Sequence, residues 1–340
     1  MSFLLFFLVL GVIVAIHEFG HFLFAKIFGI KVLKFSIGFN PTILSKKIGE
    51  TEYAIGAVPL GGYVKMEGEF SGQKSSDPRS YDLKPRWQRI VILLAGPAFN
   101  FISGFLIVLA SFSIFGTPAY SNRVVHIQEN TPVAISGIKL RDKIISVNGK
   151  KTATSQEVIN NITSGITEKE IELEIERDAE RIKVKMRPTL TKGGYRIGVG
   201  FGETVMIKSS DDKLSESVNY SAHKIKTIFL VFRGIFSGQI EAKDSIGGPI
   251  AISGVINKSR LDLGLAGILL ITAIISFNLG IVNLLPIPVL DGGGIAILVV
   301  EMVMGKSLNK KIKERILYMG LAILLTLMLF TTFLDISRLF

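Results

Sequence analysis

The stretch VAIHEFGHFLFA, Val14–Ala25, sets two histidines and a glutamate inside an apolar run that begins at Met1. Met1–Phe24 is long enough for a helix to cross about 30 Å of hydrocarbon. A charged or strongly polar side chain at mid-bilayer costs about 2.5–3.5 kcal/mol on insertion scales, so three together call for a compensating role. On a helix His17 and His21 share one face, with Glu18 beside the first. Two imidazoles at that spacing reach one Zn2+, and the neighbouring carboxylate is placed to take a proton from the attacking water. A polar helix–helix contact inside a bundle is the competing reading, but it accounts for neither the spacing nor the residue types.

The apolar character recurs along the chain. Of 340 residues 48% are hydrophobic, and the mean hydropathy is positive, which points to a membrane class. Ile90–Phe115, Gly264–Leu290 and Ile316–Leu334 are further candidate spans, and a shorter apolar run, Ile295–Met304, follows the second of these. Between them Ala119–Asp262 is charged and of mixed composition, enough for a folded domain. The absence of cysteine excludes disulfide frameworks, zinc ribbons and thiol catalysis. The net charge of +11 comes without a nucleic-acid-binding motif, and several Lys and Arg flank apolar segments, so basic membrane flanks are its source and no nucleic acid is expected.

The first segment reads as a retained transmembrane helix. No Lys or Arg precedes its apolar run, His17-Glu18 interrupt it, and no clear small-residue cleavage site follows. The loop Lys26–Arg89 holds 11 Lys/Arg against 6 Asp/Glu, and Gly305–Arg315 adds 5 more basic residues. The positive-inside rule sends both loops to the cytoplasm and puts the termini and the Ala119–Asp262 region outside. His17 precedes Lys26 by nine residues, roughly 13 Å along a helix, which sets the histidines nearer the cytoplasmic face.

A catalytic zinc usually has three protein ligands and one open position. His126 and His223 fall in the outside region, far from a mid-membrane site. Asp291 is better placed, in NLLPIPVLDGGG (Asn283–Gly294), just after a membrane helix that Pro286 and Pro288 must break. Broken helices at membrane depth line cavities or lie buried in protein, so the aspartate would face the bundle interior. Its alternative role is a cap on a helix over Gly292–Met304.

HEFGH near the N-terminus together with NLLPIPVLDGG in a late membrane segment resembles the site-2 protease family of intramembrane zinc metalloproteases. The likeness is to the bacterial branch typified by the regulator of sigma-E protease. GAVPLGGYVKMEGE (Gly56–Glu69), LLAGPAFNF (Leu93–Phe101) and GGPIAISGV (Gly247–Val255) match in the same order. The resemblance implies one zinc per chain held by His17, His21 and Asp291, with Glu18 as general base. It implies a substrate-handling role for Asn283 and a membrane-entering β-hairpin over Gly56–Met66 that receives substrate, with Gly56, Val58, Pro59, Leu60, Gly61 and Gly62 in its first half. Asn100 matches a family asparagine with a packing or substrate role. Gly294 departs from the branch, which usually has histidine there, as does Asn40, where glycine is common.

NTPVAISGIKLRDKIISVNGKK (Asn130–Lys151) resembles the start of a bacterial PDZ domain, with Ser136 in place of an alanine and Arg141 in place of a glycine. Ile144, Ile145 and Val147 make a strand, and Asn148-Gly149 suits a tight hairpin turn. Thr154 to Glu157 form a capping box that opens a short helix. EIELEIER and RIKVKM alternate as two half-exposed strands. Such domains bind extended peptides by strand addition; a steric gate is the other role considered. Leu214–Gly238 reads as an interfacial helix, with Leu214, Val218, Ile225, Phe229, Phe232 and Phe236 near one face packed over the membrane region.

The expected fold is a polytopic α-helical membrane protein of about four transmembrane helices, with a re-entrant β-hairpin and an inserted α+β PDZ-like domain. Residues 1–118 form the first membrane region, 119–200 the PDZ-like domain, 201–262 an amphipathic interfacial segment and 263–340 the second membrane region. The expected activity is zinc-dependent peptide hydrolysis within or near the spans of single-span proteins in the bacterial inner membrane, anti-sigma factors or signal-peptide remnants among them. A proton or ion transporter and a catalytically silent adaptor are the rival classes; the first predicts no bound zinc and neither predicts a cut product.

Overall fold

The computed structural model describes residues 2–69, 76–164, 170–191, 194–208, 212–241, 243 and 247–338. The chain forms two compact units: residues 1–113 with 212–340, and residues 114–211. Among the described residues four helices are long and apolar enough to cross a membrane.

In the first unit α1 runs Ser2–Ile27 and α2 Arg86–Phe115, with Pro97 inside it. Between them β1 (Val32–Ile48) and β2 (Thr51–Met66) form a long antiparallel pair joined at Gly49-Glu50. Each strand bends, so residues 34–37 of β1 face both 62–65 and 52–55 of β2. The expected Gly56–Met66 hairpin is therefore not a hairpin in itself. It is the second half of β2, and the chain reversal lies earlier, at 49–50. Gly38 and Pro41 in β1 and Pro59 in β2 obscured these strands in the sequence, because glycine and proline normally mark a strand's end. The pair is anchored by an apolar cluster in which Val32, Val64 and Met66 meet Ala25 of α1 and Ile92 of α2.

The second unit contributes β3 (Thr117–Tyr120), β4 (Val124–Ile127), α3 (Pro132–Ile135), β5 (Lys143–Val147), β6 (Lys150–Lys151), α4 (Ser155–Ser164), β7 (Ile171–Arg177), β8 (Glu180–Met186), β9 (Thr189–Thr191), β10 (Gly194–Arg196), β11 (Val199–Phe201) and β12 (Thr204–Ile207). Its main sheet has the order β6-β5-β7-β8, while β11 pairs with β4 and β12 with β3. Residues 201–207, expected in an interfacial segment, thus pair with strands at the start of this unit. Asn148 and Gly149 both take positive φ (49° and 76°) at the β5–β6 turn, and Thr154 Oγ1 accepts from the Glu157 amide as the capping pattern requires. Arg141 sits at φ 74°, a left-handed conformation that explains why glycine is usual there.

The first unit resumes with α5 (Lys213–Phe236), α6 (Pro249–Asn283), α7 (Asp291–Met304) and α8 (Lys310–Ser337). Gly264, at φ 60°, kinks α6. The packed face of α5 differs from expectation. Ser217 and Ser221 are buried and Tyr220 meets Phe112 of α2 edge-on, while Leu214, Val218 and Phe229 are exposed. The side chain of Phe236, expected on that face, lies outside the described residues. Ile225 and Phe232 are half-buried, and helix packing selects small residues for close approach, so half of the expected apolar stripe points outward. At about 21 Å, α7 is too short to span.

Candidate metal centre

His17 and His21 project from one face of α1, as their spacing requires. The Pro286/Pro288 segment ends α6 and turns the chain into α7, whose first residue is Asp291. Leu290, not Asp291, occupies the N-cap position, and no side-chain cap bond forms. The capping role is thereby set aside, and the carboxylate turns to the imidazoles instead. His17 Nε2 lies 3.2 Å from Asp291 Oδ2, His21 Nε2 lies 3.3 Å from Asp291 Oδ1, and the two Nε2 atoms are 3.2 Å apart. Both histidines are buried.

These residues fit a zinc ion. Tetrahedral donors about 2.0–2.1 Å from zinc stand about 3.3 Å from one another, close to the spacings found. The proton inventory agrees. His21 Nδ1 lies 2.8 Å from the Ile92 carbonyl, which only accepts, so Nδ1 carries the proton and Nε2 presents a lone pair. No hydrogen bond reaches the buried Asp291 Oδ2. The His21 lone pair facing a buried carboxylate oxygen is an arrangement that a cation between them satisfies. Among the described residues, His17, His21 and Asp291 are the one His/Asp/Glu group close enough to share an ion.

The other expected residues separate into two sets. Asn283, the last residue of α6, has its Nδ2 3.3 Å from His17 Nε2. Glu18 faces the second half of β2, near the Val64 main chain, and a Cβ built on Gly62 would stand 2.9 Å from Glu18 Cγ. Of the hairpin set, Gly62 therefore meets the site. Gly61 packs instead on the Phe39 ring, Gly56 on the backbone at Gly38, and Val58 pairs with Phe39. Pro59 lies between them in β2, and the side chain of Leu60 is outside the described residues. Asn100, expected to pack or handle substrate, is fully buried behind His17, with its Nδ2 3.1 Å from His17 Nδ1.

Sequence reasoning missed Gly96. A Cβ there would stand 2.5 Å from His21 Cε1 and 2.7 Å from His17 Cε1, so only glycine lets α2 cross over both imidazoles. The Gly-Pro-x-x-Asn run, Gly96 to Asn100, was the available signal. It places a bare position and an amide one helical turn apart.

The sequence profile of peptidase family M50 matches residues 5–327. A Campylobacter jejuni protein provisionally named a zinc metalloprotease is 33% identical over 97% of this chain and 92% of its own. The regulator of sigma-W protease RasP of Bacillus subtilis is 28% identical over 98% of each chain. The PDZ domain of an SdrC-like protein from Listeria innocua aligns with 24% of this chain and 92% of its own, at 22% identity and a TM-score of 0.22.

Proposed function

The chain belongs to peptidase family M50, the site-2 protease family of zinc metalloproteases, and from that membership we propose that it cleaves single-span membrane proteins within or near their spans. The observation that carries this reading is the meeting of His17, His21 and Asp291 beside Glu18 in a chain with four candidate spans. His17, His21 and Asp291 hold one zinc ion. When bound, zinc polarises the scissile carbonyl and acidifies the attacking water.

Glu18 takes the proton from that water and returns it to the leaving nitrogen. A substrate helix hides its amides in its own hydrogen bonds, so it must first open into a strand. Gly62 and Val64 lie beside Glu18, and an opened strand pairing along this edge of β2 sets its carbonyl next to the base. Gly56, Val58, Pro59, Leu60 and Gly61 continue that edge away from the site. The Asn283 amide donates to the substrate main chain and fixes the strand.

The protein sits in the bacterial inner membrane with its basic loops on the cytoplasmic side and residues 114–211 outside. That unit is PDZ-like and screens or binds extended peptide. The name of the B. subtilis relative, a regulator of sigma-W protease, supports an anti-sigma factor as substrate.

Incubation of the purified full-length chain in detergent with a single-span substrate tests the reading. Cleavage is expected, with loss on chelation and recovery on adding zinc. Glu18→Gln is expected to keep one zinc per chain while the rate falls at least about 100-fold. Cleavage that survives chelation removes the metal role, and an active Glu18→Gln removes the base.

A further inference from the structure

We infer that α2 is the orienting helix of the metal site and that Asn100 is a positioning residue, its side-chain oxygen accepting the Nδ1 proton of His17. The inference rests on the zinc reading above and assigns a residue outside the ligand set.

Both imidazoles lean on α2. His21 Nδ1 donates to the Ile92 carbonyl at 2.8 Å. Just over two helical turns further on, Asn100 stands 3.1 Å from His17 Nδ1. The amide nitrogen is turned to the ring, while Oδ1 is buried with no partner. Amide oxygen and nitrogen occupy nearly the same space, so their assignment follows from the hydrogen bonds available. A His17 that offers its Nε2 lone pair to a metal carries its proton on Nδ1, and that proton needs an acceptor. A half-turn of the amide supplies Oδ1 as that acceptor. The two histidines then have the same arrangement: Nε2 toward Asp291, Nδ1–H held from behind.

Asn100 is itself fixed. Its main-chain carbonyl accepts from Ser276 Oγ of α6 at 2.9 Å and from Ser103 Oγ at 3.2 Å. Ser276 lies on the helix that ends in Asn283, so one buried hydrogen-bond chain links the back of His17 to α6. Acceptors behind a ligating imidazole fix its tautomer and raise its basicity, and their loss typically weakens metal binding 10–100-fold. The partner of His21 is main chain and no substitution deletes it. Replacement of Asn100 therefore loosens one ligand of three.

Competition against a chromophoric chelator, with the full-length chain in detergent, reads the zinc affinity directly and without turnover. Asn100→Leu keeps the branching and heavy-atom count of the side chain and has no acceptor; it is expected to bind zinc about 10–100-fold more weakly than the parent. Asn100→Asp keeps an acceptor oxygen and is expected to bind within a few-fold of the parent (~3-fold). Asn100→Leu binding as tightly as the parent overturns the inference. So does Asn100→Asp falling as far as Asn100→Leu, which would make position 100 a packing position only. A parent chain that binds no zinc overturns the metal reading itself, a distinct outcome.

Discussion

At position 96 a methyl group has no room, because the two imidazoles already fill the space beside α2. Gly96→Ala should push both rings away from Asp291 while leaving the apolar faces of α1 and α2 able to pack. Zinc affinity is expected to fall by at least about 10-fold, with helical circular dichroism retained. Unchanged zinc content in that variant would mean that α2 yields instead. The grouping of these side chains was legible in the sequence: helical periodicity alone puts His17 and His21 on one face, and Pro286 and Pro288 forecast the break that brings Asp291 to them. Gly96 was not legible, since glycine is common in membrane helices for packing reasons alone. The role of Asn100 was also hidden, because the direction of an amide depends on what tertiary packing sets beside it.

Among elements, α7 carries the proposed ligand Asp291 at one end and an ionic anchor at the other. Glu301 is fully buried; its Oε1 lies 2.5 Å from Lys313 Nζ of α8 and accepts from the Leu308 amide at 2.9 Å, and Arg86 of α2 stands 3.9 Å from Oε2. Removing one partner of a buried pair leaves an uncompensated charge and costs about 3–5 kcal/mol, whereas removing both charges is far milder. Lys313 is partly exposed and Glu301 keeps the Leu308 amide, so Lys313→Met is expected to destabilise the chain by less than that, about 1–2 kcal/mol, and Glu301→Gln with Lys313→Met by less again. Thermal unfolding of the three proteins in detergent checks this, and equal losses in the single and double variants would deny the coupling. Sequence reading placed the apolar run of α7 but gave no sign of this anchor, because a lone glutamate in such a run acquires its partners only from other elements. It likewise placed α5 but not its packed face. Hydropathy marks the stripe that avoids water, and in a lipid setting that stripe can face outward as readily as inward.

The whole molecule divides where its hydropathy changes: the chain leaves the first unit near residue 113 and rejoins it at 212. Hydropathy and charge made that division visible, while the pairing of β11 and β12 with β4 and β3 was not, since non-local partners of short strands leave no local pattern. Every proposed ligand belongs to the first unit. The second has its own buried ion pair, Asp142 with Arg177 at 2.8 and 2.6 Å, reinforced by the Lys139 amide at 2.7 Å. Burial opposes the charge on Asp142, but the Arg177 hydrogen bonds outweigh it and hold its carboxyl below the usual carboxylate range. A carboxyl depressed in the folded state adds stability above its unfolded pKa of about 3.9, and that contribution is lost as pH falls through the lower folded value. Two unfolding transitions are therefore expected, of which only the first responds to chelator at neutral pH. Chelation should lower the one from residues 1–113 with 212–340, because zinc binds its folded form alone, and leave the other in place. Acidification below about pH 4 should lower the transition of residues 114–211, and Asp142→Asn should flatten that response. Differential scanning calorimetry of the full-length chain resolves the two, and a single transition that chelator shifts as a whole would show that the units unfold as one.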